Sequence, residues 1–272
     1  MRPRQWSKNL LLFAGLVFAA KLGDVIGWAE AGAAFAAYCA ASSAAYLVND
    51  VRDIEHDRTH PLKSLRPVAR RELSPRAALS LGAALVFTAG ALVVPLGVAS
   101  VGFLALFLAL QGAYSFGLKH IVLLDVFVIA ALFVVRSAAG AAAVHVRISP
   151  WLLLVTALLA LFLALAKRRS ELVLRGSSRP VLDGYSLALV DQLIAVTVGC
   201  TIAAYAVYTL TAHTTAMAAT IPFVVFGLFR YLLLVHRDDL GEEPENVLLT
   251  DWPLVAAVVL WAVTAAVILA VD

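Results

Sequence analysis

Nine apolar stretches, each close to the length of a membrane span, fill most of the 272 residues and decide what the chain can fold into. They run over roughly 9–27, 29–49, 77–97, 98–117, 121–145, 149–167, 190–211, 215–235 and 252–271. A helix crossing a bilayer takes about 20 residues, and inside the hydrocarbon each backbone polar group must find its partner within the segment itself. Nine spanning helices are therefore expected, with connections too short to hold a soluble domain. Composition agrees, with 62% hydrophobic and only 14% charged residues where a soluble domain carries about 25% charged. The expectation is an all-α integral membrane protein forming a single transmembrane domain over 1–272. Disorder, a disulfide-rich secreted scaffold and a cytosolic enzyme are excluded. Cys39 and Cys200 lie inside apolar runs and read as small buried hydrophobes.

The charges are sorted by side. Of the 21 Lys and Arg, Lys21 and Arg147 lie toward one side of the nine stretches and Arg136 lies in the middle of one; the remaining 18, with Arg230 near the end of the eighth stretch among them, lie toward the other side. By the positive-inside rule this places the N-terminus in the cytoplasm and the C-terminus outside, and points to a multi-pass protein of the cell membrane. The opposite-side connections at 95–100 and 211–216 contain no Asp, Glu, Lys or Arg. Chemistry is therefore expected on the cytoplasmic face, in the loops at about 50–76 and 168–189. The net charge of +3 serves topology and not nucleic acid.

The run leaving the second stretch, Asn49-Asp50-Val51-Arg52-Asp53-Ile54-Glu55-His56-Asp57, carries the strongest chemical signal. On a helix Asp50, Asp53 and Asp57 would stack on one face. Three like charges there call for a divalent cation, and Mg²⁺ takes one or two carboxylates together with phosphate oxygens. The continuation His60-Pro61-Leu62-Lys63-Ser64-Leu65-Arg66-Pro67 has the opposite sign. Carboxylates able to hold a metal beside Lys63 and Arg66 describe a diphosphate site.

Other residues carry weaker signals. Tyr114 and Lys119 read either as an interfacial anchor and a topology charge or as substrate ligands. Arg136, inside a span, must pair with Asp125 or line a cavity. Lys167, Arg168 and Glu171 end the sixth stretch, where Lys167 and Glu171 can form an i,i+4 ion pair. The segment 238–251 has six acids and no evident chemistry. His145, His213 and His236 are scattered, with none at metal-ligand spacing, and no Gly-rich phosphate loop is present.

The pattern Asn49-Asp50-x-x-Asp53-x-x-x-Asp57 resembles the first aspartate-rich motif of the UbiA superfamily of intramembrane prenyltransferases. His60-Pro61-x-Lys63-x-x-Arg66-Pro67 looks like that superfamily's decaprenyl-phosphate phosphoribosyltransferase branch. So do Arg2-Pro3-Arg4-Gln5-Trp6-Ser7-Lys8-Asn9, Tyr114-Ser115-Phe116-Gly117-Leu118-Lys119-His120, Arg136-Ser137-Ala138-Ala139-Gly140, Lys167-Arg168-Arg169-Ser170-Glu171-Leu172 and Gly241-Glu242-Glu243-Pro244-Glu245. The resemblance implies nine transmembrane helices around a central cavity open to the cytoplasm. It implies Mg²⁺-dependent transfer of the 5-phosphoribosyl group from phosphoribosyl pyrophosphate to a polyprenyl phosphate, feeding synthesis of an envelope arabinan. Asp50 and Asp53 would be catalytic, and Asp50, Asp53 and Asp57 would hold the metal. Lys8, Asn49, Lys63, Arg66, Tyr114, Lys119, Arg136, Lys167, Arg168 and Glu171 would bind substrate. Lys119, Lys167 and Arg168 would divide between the ribose 5-phosphate and the acceptor phosphate. The bilayer is a partner, and a homo-oligomer is left open. One departure counts: the superfamily's second aspartate-rich motif is replaced by Lys167, Arg168, Arg169 and Glu171, with Asp183 and Asp191 eight apart. The alternative is an ordinary superfamily member, moving a prenyl chain from its diphosphate onto an aromatic or other acceptor.

Overall fold

The fold is seen in a computed structural model that describes residues 3–19, 23–59, 63–174, 180–211, 214–237, 247 and 250–271, and every regular element among them is helical. A 3₁₀ segment Pro3–Phe13 leads into the short α1 (Ala14–Phe18). There follow α2 (Val25–Arg52), α3 (Ile54–Thr59), α4 (Pro75–Val93), α5 (Val98–Phe116), α6 (Leu124–Ala143), α7 (Pro150–Val173), α8 (Leu187–Thr211), α9 (Ile221–Arg237) and α10 (Trp252–Val271).

The starts of these helices are set by capping side chains. Asp24 accepts from the Gly27 N–H at 2.9 Å and opens α2. Ser74 and Ser149 do the same for α4 and α7, each followed by a proline in the first turn, where its missing N–H costs nothing. Asp251, the last acid of the 238–251 segment, accepts from the Leu254 N–H at 3.0 Å at the start of α10. Residues 238–246 of that segment lie outside the described residues.

Among the described residues seven helices are long and apolar enough to cross a membrane: α2, α4 with its continuation to Leu96, α5, α6, α7, α8, and α9 with the 3₁₀ turn before it. Large apolar side chains on them stand exposed, among them Phe87 (79%), Val98 (90%) and Val196 (63%), which suits a lipid surface and not water. The sequence expectation of nine is met at seven stretches. Residues 9–27 do not form one helix, because Asp24 starts α2 inside that stretch. α10 is apolar, but its span reads only Trp252–Ile268 over the described side chains.

The helices gather into two compact units, Met1–Phe116 with Val135–Ile148, and Gly117–Val134 with Ser149–Asp272. In the first, α2 packs on α4 through small residues. Ala34, Ala37, Ala41 and Ala44 on α2 and Ala78, Gly82 and Ala89 on α4 are buried, and small faces let helix backbones approach closely in a bilayer. In the second, α7 and α8 share a core with α9 built on Phe162, Leu165, Val190, Ile194, Leu228 and Tyr231.

The N-terminal segment is stitched onto the second half of α6. Asn9 and Leu12 on the 3₁₀ segment and Gly15 and Leu16 on α1 are buried. A Cβ on Gly140 would lie 2.1 Å from the Leu12 carbonyl oxygen, and one on Gly15 would lie 2.7 Å from Ala141 Cα. Both obstacles are backbone, so neither can swing aside. Gly140→Ala is expected to cost about 1–3 kcal/mol, read as a lower denaturation midpoint in detergent, whereas Gly90→Ala, with open space around it, should leave the midpoint in place.

Candidate functional site

The first unit builds a carboxylate pair around one guanidinium. α2 ends at Arg52 because Asp53 leaves helical geometry as its C-cap, with its N–H donating to the Asn49 carbonyl at 2.9 Å. α3 then restarts, with the Asp57 N–H donating to the Asp53 carbonyl at 2.8 Å. Asp50, Asp53 and Asp57 therefore do not stand on one continuous helix, which corrects the expectation of a three-carboxylate stack. Arg66 brings two of them together: its Nη1 donates to Asp57 Oδ2 at 2.5 Å and lies 3.1 Å from Asp50 Oδ1. Asp57 is 2% exposed and Asp50 is buried.

The loop carrying Arg66 is anchored. Pro67 follows it, Val68 is buried in a cluster with Leu47 and Ala78, and the Arg66 carbonyl accepts from the Arg70 N–H at 2.9 Å. Arg58 ties α3 to the same loop through the Ala69 carbonyl at 3.4 Å. Arg52 donates to the carbonyls of Ser115 and Phe116 at the end of α5 and lies 4.7 Å from the Phe116 ring centroid. It neutralises the C-terminal end of α5 and holds the acidic turn to it. Asn49 and Tyr114 are half-buried on α2 and α5. The side chain of Lys63, with His60 and Pro61, lies outside the described residues.

Among the described residues no three His, Cys, Asp or Glu side chains converge closely enough to hold a metal ion. The donor set still fits Mg²⁺: two buried carboxylates that already share one cation offer hard oxygens, and substrate phosphate oxygens and water complete such a shell. Asp53 stands at the helix break beside them.

Deeper in the same unit, Arg136 Nε donates to Asn9 Oδ1 at 2.8 Å, and its guanidinium lies 4.6 Å from the Phe107 ring centroid. Asn9 Nδ2 donates in turn to Cys39 Sγ at 3.3 Å. Lys8 and Tyr46 both reach Gln5 Oε1, at 2.5 and 3.5 Å. Arg136 thus faces the N-terminal segment. Asp125, the partner open to Arg136 from sequence, is engaged by Arg168.

The second unit holds that cluster. Arg168 Nε donates to Asp125 Oδ2 at 2.8 Å and Nη1 donates to Glu171. The Tyr185 hydroxyl donates to Asp125 Oδ1 at 2.7 Å and accepts from the Leu123 N–H at 2.8 Å. Asp125 is 0% and Arg168 1% exposed. Leu123 has a φ of +67°, a backbone that L-residues adopt at a cost of about 1 kcal/mol or more, and the Tyr185 hydroxyl holds it there. Glu171 pairs with Arg168 at i,i+3, and Arg168 lies between two carboxylates. Arg169 is likewise paired with Asp191, at 2.8 Å, and with the Val235 carbonyl. Lys119, on the 3₁₀ turn Leu118–His120, and Lys167 are half-buried. An apolar groove of about 220 Å³ between α6, α7 and α8 is lined by Phe127, Leu161, Leu193 and Cys200 without a single acid or base; it is no reaction site.

Burial, followed by the hydrogen bond to Asp125, pushes the Tyr185 hydroxyl above its ordinary pKa. A raised folded value means that this stabilisation is complete below the unfolded pKa of about 10 and is lost as pH rises through the folded value. Unfolding midpoints measured from pH 8 to 11 should fall more steeply at the alkaline end for wild type than for Tyr185→Phe. At pH 8 that variant should lose about 1–2 kcal/mol from the orphaned Leu123 N–H and Asp125 oxygen.

The fold and this polar chemistry at the ends of apolar helices define an intramembrane transferase class. The sequence model of the UbiA prenyltransferase family matches residues 10–250, and the chain belongs to that family. Its relatives are more particular. It is 32% identical to the decaprenyl-phosphate phosphoribosyltransferase of Mycolicibacterium smegmatis, across 96% of this chain and 88% of that protein. It is 32% identical to the Corynebacterium glutamicum protein of the same name, across 96% and 82%. A solved structure of a UbiA homologue from Archaeoglobus fulgidus bound to DMAPP and Mg²⁺ superposes with a TM-score of 0.78 at 17% identity, covering 100% of this chain and 98% of that one.

Proposed function

We propose that the protein transfers the 5-phosphoribosyl group of phosphoribosyl pyrophosphate to a polyprenyl phosphate and releases pyrophosphate. The observation that carries this reading is the 32% identity, over 96% of the chain, to a protein named for that reaction. The carboxylate pair beside Arg66 supports it chemically. The leaving pyrophosphate gains negative charge as the bond to ribose C1 breaks, and cations aimed at it lower the barrier. Mg²⁺, when bound, supplies most of that stabilisation as a Lewis acid. Asp50 and Asp57, with Asp53 beside them, would hold it, and Asn49 would orient donor oxygens. Arg66 and Lys63 would bind the diphosphate. Lys8, Lys119, Lys167 and Tyr114 are assigned to the remaining phosphates on the resemblance.

Ribose C1 passes through an oxocarbenium-like state, as in glycoside transfer. The acceptor phosphate, with a second pKa of about 6, is largely dianionic at neutral pH. It needs no strong general base, in keeping with a sequence that offers no nucleophile-and-base pair. The lipid tail of the acceptor stays in the bilayer. In this reading the protein is a multi-pass protein of the cell membrane forming one transmembrane domain, with its N-terminus and reaction site on the cytoplasmic side.

The test is incubation of the purified protein with radiolabelled phosphoribosyl pyrophosphate and a polyprenyl phosphate, with Mg²⁺ present or chelated. A labelled lipid that forms only with Mg²⁺ is the expected result. Turnover of a prenyl diphosphate without a labelled lipid would replace this reading with prenyl transfer.

A further inference from the structure

The contact between Arg66 and the carboxylate pair has a second implication, which rests on the metal role proposed above. We infer that Arg66 is the resident counter-cation of the site: its guanidinium holds Asp50 and Asp57 together in the metal-free protein, and a divalent cation arriving with a diphosphate displaces it onto that diphosphate.

Three observations carry the inference. First, the pair needs a cation at all times. The Asp57 side chain is 2% exposed and that of Asp50 is 11% exposed, and a buried carboxylate without a partner is strongly disfavoured. Second, one guanidinium serves both, at 2.5 and 3.1 Å. It therefore occupies the space between the same oxygens that a hard divalent cation would use. Two cations on one pair repel each other, so metal and guanidinium exclude one another. Third, Arg66 can leave without unravelling the loop. Its backbone is fixed by the Arg70 hydrogen bond and by buried Val68, while its side chain is 21% exposed on a flexible stem. A diphosphate offers that guanidinium a bidentate anion in exchange.

The consequence is a change of sign in the coupling. Without diphosphate, Arg66 competes with the metal; with diphosphate bound, it assists the metal by neutralising the other side of the same ligand. Metal and diphosphate should each tighten the other's binding. Premature metal loading of the empty site is thereby discouraged.

Direct binding tests this without turnover. Free Mn²⁺ is counted by electron paramagnetic resonance while the full chain in detergent is titrated, with and without inorganic pyrophosphate. Wild type should bind Mn²⁺ weakly alone and more tightly with pyrophosphate. Arg66→Gln should bind Mn²⁺ alone roughly tenfold more tightly than wild type, and pyrophosphate should tighten it less. Arg66→Lys keeps a cation that reaches one carboxylate at a time, so its Mn²⁺ affinity should fall between the two. If Arg66→Gln does not fold, the lysine variant decides. Equal or weaker Mn²⁺ binding by the folded variant, with wild type binding measurably, would overturn the exchange and leave the proposed reaction standing. No Mn²⁺ binding by wild type or variant, with or without pyrophosphate, would remove the metal role itself and the inference with it.

Discussion

Asp50→Ala is expected to lower phosphoribosyl transfer by about two to three orders of magnitude while the protein stays folded. The loss follows from removing one of the two buried carboxylates that Arg66 joins. In the reaction proposed above, a bound Mg²⁺ would then lose a hard oxygen ligand beside the diphosphate whose charge grows as it leaves. The fold survives because Arg66 keeps Asp57 at 2.5 Å, so no buried charge is left alone. Asp57→Ala should be as inactive but less stable, since its carboxylate is the more enclosed of the two. Asp53→Ala separates a site built on the pair from one built on all three acids. The measurement is labelled lipid formed per unit time by variants that elute from a sizing column as wild type does. Full activity in folded Asp50→Ala protein would sink the assignment of the carboxylates to the reaction.

The parts of the fold set by local pattern were legible in the sequence. Apolar runs of span length marked seven of the helices. The 9–27 stretch misled because apolar content alone does not separate an α-helix from a 3₁₀ segment. For the site, residue types were legible and partners were not. Asp50, Asp57 and Arg66 were all singled out, yet the break at Asp53 and the two-against-one pairing depend on where the anchored loop returns. Arg168 and Glu171 stood out as charges at a helix end, but the Asp125 partner lies 43 residues away. Tyr185, 60 residues from Asp125, carries no local signal at all. Charge counted along the chain therefore gave no sign that Arg168 and Arg169 stand in ion pairs.

Arg168→Met should destabilise the protein by about 3–5 kcal/mol, the usual cost of removing one partner from a buried ion pair. Two carboxylates then lose their guanidinium at once, and Asp125 has no exposure through which water could replace it. The loss is predicted to come from stranded charge and not from lost packing, because methionine fills much of the same volume. That distinction can be measured. Adding Asp125→Asn and Glu171→Gln to Arg168→Met removes the stranded charges, and the asparagine can still accept from the Tyr185 hydroxyl. The triple variant should recover most of the stability, as buried ion pairs replaced whole often do. A direct phosphate-binding role for Arg168 predicts something else: a near-normal denaturation midpoint in Arg168→Met with a raised KM for phosphoribosyl pyrophosphate. Thermal denaturation in detergent and substrate-saturation curves on the single and triple variants tell the two apart. If the triple variant is stable and still transfers phosphoribose, Arg168 acts by holding the end of α7, the start of α6 and the Tyr185 loop in register.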